Sequence, residues 1–170
     1  MYQLIVLFFE ISILRKGPQD VPTSPWLLRL MFVPYLLINL LILLLDGSLL
    51  HALMQIAVET ALMVGFSYPL LYFSGKTARF PQTLTALLGT DAVISLCAIP
   101  AVASLGTQIG DVAFIAMMVL MGWHWLVNGH IFRHALDRPL LFGLALAFLY
   151  ILISSQVMSL LFTVVTPASN

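Results

Sequence analysis

Charge is the scarcest thing in this chain. Lys and Arg together number seven, Asp and Glu seven, so 8% of the 170 residues are charged and the formal net charge is zero. Soluble domains carry about a quarter, and so few charges could not cover a water-facing globule. With no excess of either sign, the overall charge argues against a nucleic-acid partner. Cysteine is nearly absent as well. Cys97 alone can form neither an intrachain disulfide nor a Cys-rich metal site, and in an apolar segment it reads as a buried, inert thiol. No nucleophile motif, phosphate loop or HExxH sequence occurs. The expectation is therefore no enzyme, no resident metal and no cofactor.

What the chain has is apolar length: 61% hydrophobic residues and a mean hydropathy of +1.06. The solvent that suits this composition is a lipid bilayer. The fold class expected is an all-α membrane protein, a polytopic bundle of about five transmembrane helices with an N-terminal interfacial helix. The spans are expected at about 27–45, 49–73, 83–104, 112–132 and 139–165, so that residues 26–166 form the bundle. Residues 1–25 supply a cytoplasmic interfacial helix and a Pro-rich connector, GPQDVPTSP at 17–25. The first 14 residues would make a helix about 21 Å long, short of the roughly 30 Å hydrocarbon core. Gln3, Glu10 and Ser12 interrupt that run, and Arg15-Lys16 follow it. An interfacial position explains this pattern, with a short tilted span or a helix docked on the bundle as the alternative. The basic pair lies after the apolar run and no small-residue cleavage site follows, so the segment reads as part of the mature protein.

Five spans fix an orientation. Arg15, Lys16, Arg29, Lys76, Arg79, Arg133 and Arg138 fall before span one, between spans two and three, or between spans four and five. All lie on one side, which the positive-inside rule makes cytoplasmic. The expected location is a bacterial inner membrane, with the N-terminus in the cytoplasm and the C-terminus in the periplasm. Asp46-Gly47-Ser48 is expected to turn tightly between spans one and two, Leu105–Asp111 to form a loop without positive charge, and RHALDR at 133–138 to link spans four and five.

Polar residues in the spans are the candidate site. At 1.5 Å per residue, Asn39, Glu59, Asp91 and His124 fall at similar depths, about 12–18 Å from the span ends. A charge at the bilayer centre costs roughly 2.5–3.5 kcal/mol on insertion scales, so Asp91 needs partners or a proton. Asn39, Glu59, Asp91, His124 and Asn128 are the candidate intramembrane polar cluster. His51 and Gln55, eight and four residues before Glu59, are a candidate polar path along one face of span two. The favoured reading of such a cluster is interhelical glue, with bonds worth around 0.6–2 kcal/mol each; a proton or cation relay is the alternative.

Ala57, Ala61 and Gly65 recur at i, i+4 and i+8 and predict a close-packing face, so span two is expected to sit centrally. Gly143 and Ala147 form a weaker version in span five. Met117, Met121, His124 and Asn128 share a face of span four, and thioethers with an imidazole suit soft metals. Methionines in so apolar a chain are also expected as core filler. No two histidines from different spans share a level, which excludes bis-His haem ligation within one chain.

Two stretches, RKGPQDVPTSPWLLRL at 15–30 and ARFPQTLTALLGTDA at 78–92, resemble small multi-pass inner-membrane proteins of bacteria. The arrangement also resembles the Yip-domain family, in which a cytoplasmic N-terminal segment precedes five closely spaced spans. The resemblance implies a partner-binding or membrane-organising protein and carries over no functional residues. The function expected from the sequence is thus a non-enzymatic membrane protein that associates with other membrane proteins or with itself, with the lipid bilayer as its constant partner. The alternative is a small oligomeric transporter or proton- or cation-conducting protein using Glu59, Asp91 and His124.

Overall fold

The computed structural model describes residues 2–45, 48–104 and 110–162. Among them are six α-helices and no strand: α1 (Tyr2–Ser12), α2 (Pro25–Leu43), α3 (Leu49–Phe73), α4 (Phe80–Ser104), α5 (Gly110–Leu136) and α6 (Leu140–Phe162). Five of these, α2 to α6, are long and apolar enough to cross a membrane, and the fold is a multi-pass helical membrane bundle. Helix is the form such segments must take, because lipid offers the backbone no hydrogen-bond partner. The turn expected at Asp46-Gly47, the loop from Leu105 and the end of the last span near Val165 lie outside the described residues.

Two boundaries move inward from the loops. α4 begins at Phe80 rather than Thr83, since Pro81 fits the first turn of a helix, where its missing N–H is no loss. α5 continues to Leu136, absorbing most of RHALDR, because Arg133 and His134 favour the negative end of the helix dipole. The reversal is then made by Asp137 in the left-handed region, at φ 51°.

The central helix is α4, not α3. Ten consecutive residues of α4, Thr83 to Ala92, are buried, with α2 and α5 on either side and α1 packed against its first half. Small and hydroxyl-bearing side chains make this possible. Thr83 and Thr90 donate to carbonyls four residues earlier, of Arg79 just before α4 and of Ala86 within it, at 2.9 and 2.8 Å, so burial strands no hydroxyl. By contrast, Ala57, Ala61 and Gly65 on α3 are exposed, and no neighbouring atom lies within 4 Å of where a Gly65 Cβ would sit. The small-residue face expected to bury span two thus points away from the chain, and α3 is peripheral. An α3 apolar on all sides meets lipid as readily as protein, so its spacing did not decide which.

The close crossing occurs instead between α5 and α6. A Cβ on Gly143 would fall on the Gly129 carbonyl oxygen and 2.9 Å from the Arg133 backbone nitrogen. Ala147, one turn on, is fully buried. Cys97 corrects a second expectation: it is exposed on the outer face of α4 rather than buried.

The basic residues gather at one end of the bundle. Asp137 accepts from Arg79 Nη1 and Lys76 Nζ, both at 2.8 Å, and Lys76 also donates to the Leu136 carbonyl. Arg79 and then Lys76 hold the Asp137 carboxyl down at about 2. This clamp ties the α3–α4 connection to the α5–α6 turn.

The helix expected at the interface, α1, packs on the bundle at the same end, the docked alternative. Phe8, Ile11 and Ser12 are buried, and the Phe8 ring occupies the space a Cβ on Gly89 would need. Trp123 Nε1 donates to the Ser12 carbonyl at 2.7 Å, satisfying one of the orphan acceptors at the end of α1. The connector is held in turn by Gln82 Nε2 donating to the Val21 carbonyl at 2.7 Å, and by His130 Nε2 at 2.9 Å from the Lys16 carbonyl.

Candidate functional site

Asp91 lies on the buried face of α4, just past the stretch covered by α1. Asn39, a little beyond the middle of α2, donates through Nδ2 to Asp91 Oδ2 at 2.9 Å and to its own Tyr35 carbonyl at 3.0 Å. One amide thereby links two helices and is itself fixed in direction. His124 of α5 brings Nε2 to 3.8 Å from Asp91 Oδ1, an electrostatic distance rather than a hydrogen bond. Ser95, one turn along α4, has its hydroxyl 3.5 Å from Asp91 Oδ2.

The partners of Asp91, though not Asp91 itself, border a cavity of about 430 Å³ to which all five long helices contribute. Asn39, Glu59, Ser95 and His124 line it, with Tyr150, Ser154 and Met158 from α6. His124 and Tyr150 sit at mid-helix and the other lining residues lie at the middle of their helices or in the half away from the basic end, so the cavity runs from the centre of the bundle into that half. It reaches the surface beside Met118, Met121 and Ser155, which are exposed. Glu59 differs from Asp91 in one respect: among the described residues no hydrogen-bond donor reaches its carboxylate. A carboxylate in a mostly apolar cavity without donors must hold a proton or meet a cation.

Four of the five residues expected to cluster are thus brought together. Asn128 is not. It is buried one turn below His124, toward the basic end, and does not line the cavity. His51 and Gln55 also stand apart from the cavity. Gln55 Nε2 pairs with His51 Nε2 at 3.1 Å, and the His51 ring meets the edge of Phe162 at 5.1 Å. At about 100° per residue, each four-residue step rotates a side chain by about 40°, so eight residues carry His51 some 80° away from Glu59. The polar path along span two does not hold together.

Ser95, Tyr150 and Met158 were missed by reasoning from the sequence. Each had a signal: Ser95 is four residues from Asp91, and Tyr150 and Met158 lie four residues to either side of Ser154 on α6. Met117, Met121 and His124 do line the cavity together. No group of three or more His, Cys, Asp or Glu side chains placed to hold a metal occurs among the described residues.

Comparisons with known proteins identify no relative. No family model, curated protein or solved structure matches the chain. The site therefore stands on its own geometry.

Proposed function

We propose that the protein is a small, non-enzymatic transport or ion-conducting protein whose working site is the acidic cavity. One observation carries this reading: Glu59, without a donor of its own, shares a cavity open at the surface with His124 and with Asn39, the hydrogen-bond partner of Asp91. Interhelical glue alone explains Asn39 and Asp91. It does not explain a second carboxylate left unsatisfied beside a space large enough for a solute. The roles divide accordingly. Asp91, fixed by Asn39, sets the negative field of the site; Glu59 exchanges its proton or cation; His124 stands close enough to take part in proton transfer.

In this reading the basic end faces the cytoplasm of a bacterium and the cavity opens toward the periplasm, as the distribution of all seven Lys and Arg residues supports. The protein works in the inner membrane, alone or as a homo-oligomer. The role first expected from the sequence, association with other membrane proteins, is a second reading. The outward-facing Ala57, Ala61 and Gly65 favour it, as does the Yip-domain-like arrangement.

Asp91→Asn separates the two readings, because Asn keeps the size and much of the hydrogen bonding. With purified protein in liposomes holding a pH-sensitive dye, the wild type is expected to conduct protons above the protein-free rate and Asp91→Asn to lose at least tenfold of that excess. No flux from the wild type, or equal flux from both, contradicts transport and leaves association.

A further inference from the structure

We propose that the acidic cavity binds a lipophilic organic cation, which displaces the proton from Glu59. The inference rests on the transport reading above and names its substrate class. Three features of the cavity select this class. Its volume, about 430 Å³, lies in the range of small-molecule sites, about 300–1,000 Å³, and far exceeds what a bare ion fills. Its wall is mainly apolar and rich in methionine, with Met117, Met118, Met121 and Met158 beside Ile94 and Tyr150. Thioethers adapt to ligands of varied outline, and the tyrosine ring face attracts cations. The ionisable groups at its wall are Glu59 and His124, and Asp91 stands behind the wall on Asn39, so two carboxylates against one imidazole favour positive charge in the cavity.

Glu59 is the exchanging group because Asp91 is already held by Asn39. The exchange balances simply: the cation enters, the Glu59 carboxyl releases one proton, and no covalent bond other than O–H breaks. The titratable groups facing Glu59 are Tyr35 from α2, Asp91 from α4, His124 from α5 and Tyr150 from α6. Arginine and lysine are missing from this set, so no resident cation competes.

The test is equilibrium dialysis of radiolabelled tetraphenylphosphonium against the purified full-length protein in detergent, from pH 6 to pH 9. Saturable binding is expected, tightening by up to about tenfold per pH unit where one proton is displaced. Glu59→Gln is expected to weaken binding at least tenfold, Glu59→Asp to retain it, and neutral triphenylphosphine oxide not to compete. Absence of saturable binding, equal affinity in Glu59→Gln, or competition by the neutral compound overturns the proposal. Because Glu59→Asp keeps the charge, its binding shows that a loss in Glu59→Gln is not a folding defect. The two readings fail separately: wild-type proton flux without phosphonium binding refutes the organic cation and leaves transport. Phosphonium binding by a protein that shows no proton flux in liposomes refutes transport and keeps the site.

Discussion

Gly143→Val is expected to prevent stable packing of α6 against α5. The added Cβ meets backbone, the Gly129 carbonyl oxygen and the Arg133 nitrogen, and backbone in two crossing helices cannot swing aside as a side-chain tip can. The helices must separate, opening the contact around the buried Ala147. Overpacking typically costs about 1–3 kcal/mol, and Gly143→Ala is expected within that range. The branched valine exceeds it and leaves most of the protein aggregated on extraction. Gly65→Ala is the matched control. Nothing lies within 4 Å of its Cβ position, so its stability is expected within about 0.5 kcal/mol of wild type. Unfolding followed by tryptophan fluorescence in mixed micelles reads all three, with Trp125 reporting directly because its indole donates to the Leu144 carbonyl at 2.9 Å. Equal stability of the Gly143 and Gly65 variants contradicts the α5–α6 crossing.

Glu59→Gln is expected to have the opposite profile: an intact fold and a lost function. No donor to the Glu59 carboxylate is sacrificed, and glutamine matches glutamate in size. Removing an ionisable group from an apolar cavity relieves a desolvation penalty, so stability is expected to be unchanged or slightly higher. Proton flux is expected to fall at least tenfold, because an amide neither releases a proton at the working pH nor neutralises a cation. Asp91→Asn, by comparison, also disturbs a helix-linking bond, an interaction worth around 0.6–2 kcal/mol in membranes. A Glu59→Gln protein that conducts at the wild-type rate contradicts the proposed mechanism.

Much of the fold was legible because lipid imposes simple rules. Runs of apolar residues marked all five long helices, and Lys76, Arg79 and Arg138 marked the end at which their connections meet. Which helix lies at the centre was not legible. Ala57, Ala61 and Gly65 have the small-residue spacing of a packed face, yet they look outward, while α4 is buried through threonines that satisfy their own hydroxyls. In lipid both faces of a helix are apolar, so hydropathy does not distinguish a neighbouring helix from solvent. The site divides similarly. Depth counting placed Asn39, Glu59, Asp91 and His124 at one level, and they converge. Four-residue spacing was the weaker signal: one step from His124 admitted Asn128, and two steps from Glu59 admitted His51. The docking of α1 depended on Gly89 leaving room for Phe8, a long-range fit that neither segment announces.

The existence of a water-accessible acidic cavity, open away from the basic end, is tested most directly at Ser95. In a Cys97→Ala background, Ser95→Cys places a lone thiol on the cavity wall with minimal change in size. Intact cells and inside-out vesicles treated with a membrane-impermeant thiol reagent then report which aqueous phase reaches it. Labelling in intact cells, slowed by tetraphenylphosphonium, is the expected result. Labelling only in inside-out vesicles, or none from either side while denatured protein labels fully, contradicts the account.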